Sequence, residues 1–266
     1  MVGTLLLRGM LVGLLAGFLC FGFLKIFGEP QVDRAMAFET QLDEAKAKAA
    51  ADQAIAEGLP PPKAEDEPEL VSRPVQSGLG LFTGAIVYGA AFGGLFALAF
   101  ALAYGRIGAF GARATSALLA ASGFVAVYLV PNLKYPANPP SIGHPETIGS
   151  RTALYFAAIA LSLAAMIACV MLGRMLLRRF GAWNAWLMAA AAYLLVIVAM
   201  ALALPGVDEV PAEFPAVVLW TFRVASLGAQ MILWGTIGLA FGALTERASK
   251  AGRVSRLRPA TMSRRA

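Results

Sequence analysis

Residues Leu79–Tyr104 read LGLFTGAIVYGAAFGGLFALAFALAY, a run of 26 residues without a charged side chain. A helix rises ~1.5 Å per residue, so this run is long enough to cross a bilayer core of ~30 Å. Only helices and closed barrels satisfy backbone polar groups in lipid, and long continuous apolar runs are typical of helices. The sequence therefore predicts an all-α polytopic membrane protein. Its six apolar runs predict transmembrane helices at 5–27, 79–104, 113–131, 153–173, 185–204 and 217–244.

The composition agrees with a membrane protein and argues against several other classes. The chain is 59% hydrophobic and 14% charged, whereas soluble domains carry about 25% charged residues. Its basic residues flank the apolar runs instead of forming one stripe, so nucleic acid is not an expected partner. Cys20 and Cys169 lie within apolar runs, which predicts small core residues and no disulfide. Arg8 and the run to Phe27 resemble a signal peptide, but the run is long and lacks a nearby cleavage site, so we expect a retained helix.

Charges alternate between the gaps of the six-helix scheme. One set of gaps and the two termini hold 13 Lys and Arg residues, whereas the other set holds 15 of the 16 acids and 7 bases. Lys and Arg near membrane ends stay in the cytoplasm. We therefore predict that both termini are cytoplasmic. The membrane domain would span 1–246, with an acidic extracytoplasmic insertion at 28–78, a Pro-rich outer loop at 132–152 and a disordered basic tail at 247–266.

The insertion and the glycines predict further local structure. Residues 31–57 indicate a helix that ends at Gly58 and the prolines after it, followed by a link over 63–70. This helix is either simply solvated or an element that docks a partner or gathers cations. Small residues four apart let helices approach closely in lipid, so helices one, two and six are predicted to form a tight core. The glycines concerned are Gly13, Gly17, Gly80, Gly84, Gly89, Gly93, Gly238 and Gly242.

Polar residues inside the apolar runs form two predicted stripes. Arg223, Ser226 and Gln230 share one face of the sixth helix. Because an intramembrane Arg costs at least ~2.5 kcal/mol, this face should line a wet cavity or a buried network, with Arg223 paired to an acid such as Glu29 or Glu213. The second stripe lies on the fourth helix. The predicted polar path or structural residues are Gln76, Asn138, Arg151, Tyr155, Arg223 and Gln230.

The segment 131–151 contains five prolines, which indicates a stiff loop. It is either a rigid turn between two helices or an extracytoplasmic lid or docking surface. His144 and Glu146 within it are a weak metal signal by themselves, because the chain has one His. Imidazole and oxygen ligands suit divalent transition metals, and further ligands would come from other acids, water or another chain.

The same loop carries a family resemblance. Residues 133–140 (LKYPANPP), Gly143, the run 145–147 (PET) and the pattern 151–155 (RTALY) resemble the CbtA family of bacterial cobalt transporter subunits. The segments Gly28–Pro30 with Glu39, and Arg73 with Gln76, are similar to it as well. The resemblance covers nearly the whole chain, although the insertion 40–72 does not match the family pattern.

The resemblance implies Co²⁺ uptake for cobalamin synthesis across the bacterial inner membrane, with no permanently bound cofactor. It also implies a partner, the small single-span His-bearing subunit CbtB. The expected metal-contacting residues in this chain are His144, Glu146, Glu29 and Glu39. The outer acids, which also include Asp33, Asp208 and Glu209, would concentrate cations at that face.

Three functions remain distinct at this point. The first is a permease subunit for a divalent transition-metal ion. The second is a membrane scaffold or accessory subunit that organises a partner which conducts the ion. The third is a membrane enzyme, which is disfavoured because His144 with Glu146 is the one nearby acid–base pair and no Ser or Cys motif accompanies it. We therefore do not expect an enzyme. No nucleotide-binding P-loop pattern is present, so any ATP drive must come from elsewhere.

Overall fold

The computed structural model describes residues 2–60, 71–140 and 142–257, with side chains up to Lys250. Within these residues every regular element is a helix, which confirms the all-α class. The predicted link at 63–70 lies outside the described residues. Five helices are long and apolar enough to cross a membrane, as expected of a membrane protein: Val2–Ala56, Arg73–Ala103, Ala112–Lys134, Pro145–Ala203 and Ala216–Lys250.

The first apolar run and the first predicted extramembrane helix are one continuous helix. Helix α1 (Val2–Phe23) passes through a π-helical turn (Leu24–Gly28) into α2 (Glu29–Ala56). Pro30 stands at the start of α2, where the wider π turn accommodates its missing N–H. Gly58, with a φ of +74°, follows the end of α2, so the predicted stop is confirmed.

The second helix packs directly against α1. It comprises α3 (Arg73–Val75), a π-helical turn (Gln76–Gly80) and α4 (Leu81–Ala103). Gly9, Gly13 and Gly17 of α1 face Gly89 and Gly93 of α4 so closely that a Cβ on any of them would overlap the opposing backbone. The predicted small-residue contact is therefore present between these two helices, although Gly80 and Gly84, which the sequence also indicated, take no part in it.

The third helix carries a proline inside it. Helix α5 (Ala112–Gly123) leads through a π-helical turn (Phe124–Leu129) into α6 (Val130–Lys134). Pro131 cannot donate a hydrogen bond to the preceding turn, and its ring would crowd an ordinary α-helical turn. The π turn before Pro131 relieves both problems and lets the helix continue to Lys134.

The fourth long helix folds back on itself. Helix α7 (Ile148–Ala203) contains Gly181 with φ 72° and ψ 166°, which breaks the helical backbone. The hydroxyl of Ser162 lies 2.8 Å from that of Tyr193, although the two residues are 31 positions apart. Gly173 also packs against Trp186. Residues 148–180 and 182–203 are therefore two antiparallel arms of a hairpin, and they coincide with the fourth and fifth apolar runs.

The last helix extends beyond the apolar run. It comprises α8 (Ala216–Thr236), a π-helical turn (Ile237–Phe241) and α9 (Gly242–Leu257). The tail from residue 247 is thus helical as far as Leu257, where the sequence predicted disorder. This helical extension contains four basic residues, Arg247, Lys250, Arg253 and Arg256. Residues 258–266 lie outside the described residues.

The main core lies where α1, α4, α5 and α8 meet. Phe96 and Phe100 of α4 pack edge-on against Phe241, with ring centroids 5.6 and 5.1 Å apart. The Ser116 hydroxyl of α5 donates to the Gly238 carbonyl at 2.6 Å. The predicted core of helices one, two and six is present, but the glycines of helix six pack against α5, which joins the core.

Candidate functional site

Two loops and the base of α2 come together at one end of the bundle, which we call the loop end. The loops are 135–147, between α6 and α7, and 204–215, between α7 and α8. Ile142 of the first loop and Phe214 of the second are buried with Ala35 of α2 and Val218 of α8. Phe38 packs edge-on against Phe214, with ring centroids 5.1 Å apart. This apolar cluster fixes α2 relative to both loops.

An ion pair fixes the two loops to each other. Arg151, in the first turn of α7, places its Nε 3.5 Å from Oε2 of Glu209. The same carboxylate oxygen accepts the backbone N–H of His144 at 2.9 Å. The Arg151 guanidinium also contacts the carbonyls of Ile142 and His144 at 3.4 Å each. The backbone around Gly143 is therefore held between a guanidinium and a carboxylate.

Gly143 is required at this position for two reasons. Its φ is +106°, in the region that favours glycine. A Cβ there would also overlap the Arg151 guanidinium and the Glu209 carboxylate. The absent side chain is what lets the pair close over the loop.

The surroundings of Glu209 favour its charged form. The Thr147 hydroxyl, the His144 N–H and the Arg151 charge together hold the pKa of the Glu209 carboxyl below its ordinary value, although partial burial opposes them. Glu209 therefore stays ionised and keeps the loop attached at neutral pH.

A cavity of about 200 Å³ opens between α2 and these loops, and we call it the acidic cavity. Three carboxylates and the chain's one imidazole line it, with Lys46 as the single basic side chain among its lining residues. Glu39, Asp43 and Lys46 recur at helical spacing on the face of α2 that carries Ala35. The lining residues are Ala35, Phe38, Glu39, Leu42, Asp43, Lys46, Ile142, Gly143, His144, Glu209, Pro211 and Phe214.

A second cavity, of about 500 Å³, is lined by Arg151 of the same ion pair, and we call it the arginine cavity. Arg151 and Arg223 both line it, and Ile142 is common to the two cavities. Its lining residues are Tyr135, Pro136, Asn138, Ile142, Ile148, Arg151, Thr152, Tyr155, Val207, Asp208, Val210 and Arg223.

Arg223 is not paired as the sequence predicted. Its Nε donates to the Ala137 carbonyl at 3.2 Å and its Nη2 to the Asn138 Oδ1 at 2.8 Å. Among the described residues no carboxylate lies within 4.0 Å of it. The expected pairing with Glu29 or Glu213 is wrong, because Glu29 is bound by Arg73 and the Pro-rich loop supplies neutral acceptors at Arg223 instead.

The polar stripe of α8 faces the protein interior, as predicted. The Ser226 hydroxyl lies 3.0 Å from the Tyr128 hydroxyl. Gln230, one turn further along, lies beside the Tyr88 hydroxyl of α4. The Cys20 thiol of α1 donates to the Ala229 carbonyl at 3.3 Å. A line of polar groups thus runs from Arg223 at the loop end into the core.

The four expected metal residues do not all meet. His144 and Glu39 line the acidic cavity, although they are 105 positions apart. Glu146 is exposed and lines neither cavity. Glu29 binds Arg73, which also contacts Asp33 at 2.8 Å. Glu29 lies about 15 Å along the helix from Glu39. Among the described residues no group of three or more His, Cys, Asp or Glu side chains is arranged closely enough to hold a metal ion.

Like the expected metal residues, the predicted polar residues do not all lie in one place. The arginine cavity is lined by Asn138, Arg151, Tyr155 and Arg223. Gln76 does not line it, because its amide donates to the Val71 carbonyl at 2.6 Å beside the π turn of the second helix.

The sequence reasoning missed the roles of Asp43 and Lys46. Both belong to the helix that the sequence predicted to be either solvated or an element that docks a partner or gathers cations, with neither residue singled out for that role. The signal that would have found them is their spacing from Ala35 and Glu39, which repeats every three or four residues and marks the inward face of α2.

A family comparison agrees with this architecture. Residues 2–246 match the family model CbtA, described as "Probable cobalt transporter subunit (CbtA)". The chain belongs to the CbtA family. The match covers every described helix except the end of α9, and it includes both cavities. Membership in CbtA agrees with the helical membrane architecture and places the chain among transporter subunits. Comparison with curated proteins and with solved structures gave no match.

Proposed function

We propose that this chain is the membrane-spanning subunit of a permease that takes up a divalent transition-metal ion, with Co²⁺ for cobalamin synthesis as the substrate. The observation that carries the proposal is the acidic cavity. Its lining includes His144 of the Pro-rich loop, Glu39 and Asp43 of α2, and Glu209. Imidazole with carboxylates is a donor set that suits such an ion.

The proposed topology places this cavity at the outer face. Residues 148–180 and 182–203 would each cross the membrane, which gives six crossings with both termini in the cytoplasm of a bacterium. The break at Gly181 supports this, because 56 helical residues would otherwise extend for about 84 Å, far beyond a bilayer. The basic residues near Gly181 would then lie inside, in line with the positive-inside rule.

The acidic cavity would act as a receiving site. Its carboxylates draw cations to it and raise the local concentration of the ion. Lys46 and the Arg151 pair keep the carboxylates from binding the ion too tightly to release it. The polar line from Arg223 through Ser226 to Gln230 supplies the interior groups along which the ion, or water, would continue.

The proposed transporter also contains a partner subunit. The resemblance to CbtA proteins implies a small single-span subunit that carries histidines, and such a subunit would supply ligands that this chain lacks. Helix α2 offers a surface for it, since Ile55 and Leu59 near its end are 65% and 58% exposed. The same surface also supports the second candidate function, an accessory subunit that organises a partner which itself conducts the ion.

The test is Co²⁺ accumulation in cells that express this chain with its CbtB-like partner. His144→Ala and Asp43→Asn should each lower the initial uptake rate at least fivefold. Glu44→Gln is the matched control, because Glu44 is exposed on the same helix and does not line the cavity. Glu29→Gln and Glu146→Gln distinguish a cavity site from a diffuse acidic field, which would respond equally to all four carboxylates. Equal uptake with and without the chain would refute the permease, and uptake that needs the chain but tolerates all these substitutions would favour the accessory role.

A further inference from the structure

Arg223 lines the arginine cavity, and no acid among the described residues forms an ion pair with it. Two of the five N–H groups of Arg223 donate to neutral acceptors, the Ala137 carbonyl and the Asn138 side chain. Within the residues that the structure describes, its guanidinium has no carboxylate partner within 4.0 Å. A guanidinium among apolar helices is costly, so an anionic ligand there would be strongly favoured.

Further donors surround this charge. Arg151 lines the cavity from α7, and part of its charge is balanced by Glu209. Thr152 and Tyr155 line the cavity too, and among the described residues neither side chain is engaged in a hydrogen bond. The Asp208 carboxylate is exposed in the same lining and is the one group there that would repel an anion.

The size and chemistry of the cavity identify the class of ligand. A volume of about 500 Å³ exceeds that of a bare ion and falls in the range of ~300–1,000 Å³ for small-molecule sites. Guanidinium forks match the oxygens of phosphate, and hydroxyl donors complete its coordination. We propose that the arginine cavity binds a phosphate group, supplied either by the headgroup of an anionic lipid or by free phosphate. This function is separate from metal transport and does not depend on it.

The position of the cavity is accessible to both sources of phosphate. It lies at the end of two long apolar helices, between α7 and α8, where lipid headgroups meet water in a membrane protein. A bound phosphate would bridge Arg151 of one helix and Arg223 of the other, and so would brace the Pro-rich loop between them.

The test uses the purified full chain in detergent with two probes, phosphatidylglycerol and inorganic phosphate. Native mass spectrometry measures lipid adducts, and thermal unfolding measures stabilisation by each probe. Arg223→Gln and Tyr155→Phe should lower the adduct fraction or the stabilisation at least threefold, whereas Asp208→Asn should raise it. Arg106→Gln is the control. Arg106 is exposed, follows the C-terminal end of α4, where it donates to the Leu102 carbonyl, and does not line the arginine cavity.

Each outcome decides the proposal. Binding of phosphatidylglycerol alone identifies a lipid headgroup site, and binding of inorganic phosphate identifies a free phosphate site. If Arg223→Gln does not fold, Tyr155→Phe decides by itself, because it removes one hydroxyl and leaves the packing intact. Binding of neither probe, or binding that is equal in all variants, would overturn the inference. None of these measurements involves Co²⁺, so failure here leaves the proposed metal uptake standing.

Discussion

The guanidinium of Arg151 lies 3.5 Å from the carboxylate of Glu209, and between them the backbone of residues 142–144 is held in place. This pair joins the start of α7 to the loop before α8, and Glu209 lines the acidic cavity whereas Arg151 lines the arginine cavity. Both side chains are mostly buried, with 26% and 13% of their surface exposed, so solvent screens the pair less than a surface ion pair.

The first prediction concerns this pair. Arg151→Gln and Glu209→Gln should each lower the midpoint of thermal unfolding in detergent, by about 2–4 °C. The double variant should lose less than the sum of the two, because each single change leaves one charge without its partner. Arg178→Gln, at an exposed position on the same helix, serves as the control. Additive losses would show that the two side chains do not act together.

The second prediction is a pH dependence of the same contact. The pKa of Glu209 is held below its ordinary value in the folded protein, so its contribution to stability is present above the unfolded pKa of ~4.3. That contribution is lost as the pH falls through the lowered folded pKa. The stability difference between the native chain and Glu209→Gln should therefore be constant from about pH 5 to 8 and shrink below about pH 4. Thermal unfolding across this range measures it, and a difference that shrinks between pH 6 and 8 would contradict the assignment.

The third prediction concerns Gly143. Gly143→Ala should destabilise the chain by about 1–3 kcal/mol, because alanine is strained at a φ of +106° and its methyl group would separate Arg151 from Glu209. Gly206→Ala is the matched control in the neighbouring loop, where a Cβ meets no atom within 4 Å. Denaturant or thermal unfolding of both variants gives the comparison. Equal behaviour of the two would mean that the loop does not depend on the close approach.

Hydropathy located the apolar segments because lipid imposes a minimum length on each of them. The joins between segments were harder to predict. The sequence predicted separate helices at 5–27 and 31–57, yet the chain continues as one helix because a proline is tolerated at the start of a helix and a π turn precedes it. Gly181, by contrast, carries no local signal other than its residue type, and its positive φ emerges only from the packing of the two arms of α7.

The candidate site, too, could be predicted from the sequence only in part. His144 and Glu39 were chosen by residue type, and their meeting in one cavity depends on where α2 lies, which no local pattern specifies. The helical spacing of Arg223, Ser226 and Gln230 correctly predicted an inward face. The partner of Arg223 was predicted from charge alone, and charge favours an acid. The folded loop offers the carbonyl of Ala137 and the amide of Asn138 first, because Pro136 and Pro139 fix its path beside α8.

The fourth prediction concerns the contact between α1 and α4. Gly89→Ala should lower the yield of monodisperse protein and cost about 1–3 kcal/mol, because its methyl group would overlap the backbone of Gly13 and Gly17. Gly84→Ala is the control five residues away on the same helix, where a Cβ meets no atom within 4 Å. Size-exclusion profiles and thermal unfolding in detergent measure both. If Gly84→Ala were as damaging as Gly89→Ala, intrinsic helix effects and not close packing would explain the loss.

The fifth prediction tests whether the hairpin of α7 crosses the membrane twice. In a background with Cys20 and Cys169 replaced by Ser, single cysteines are placed at Leu59, Arg179 and Gly206. A membrane-impermeant maleimide added to intact cells should label the cysteines at Leu59 and Gly206, because both flank loops on the acid-rich side. The cysteine at Arg179 should react only after the membrane is permeabilised, because the turn at Gly181 lies among basic residues that the positive-inside rule retains in the cytoplasm. Labelling of Arg179→Cys together with Gly206→Cys would mean that the two arms of α7 do not both cross. The number of membrane crossings would then no longer place the acidic cavity and the two termini on opposite faces.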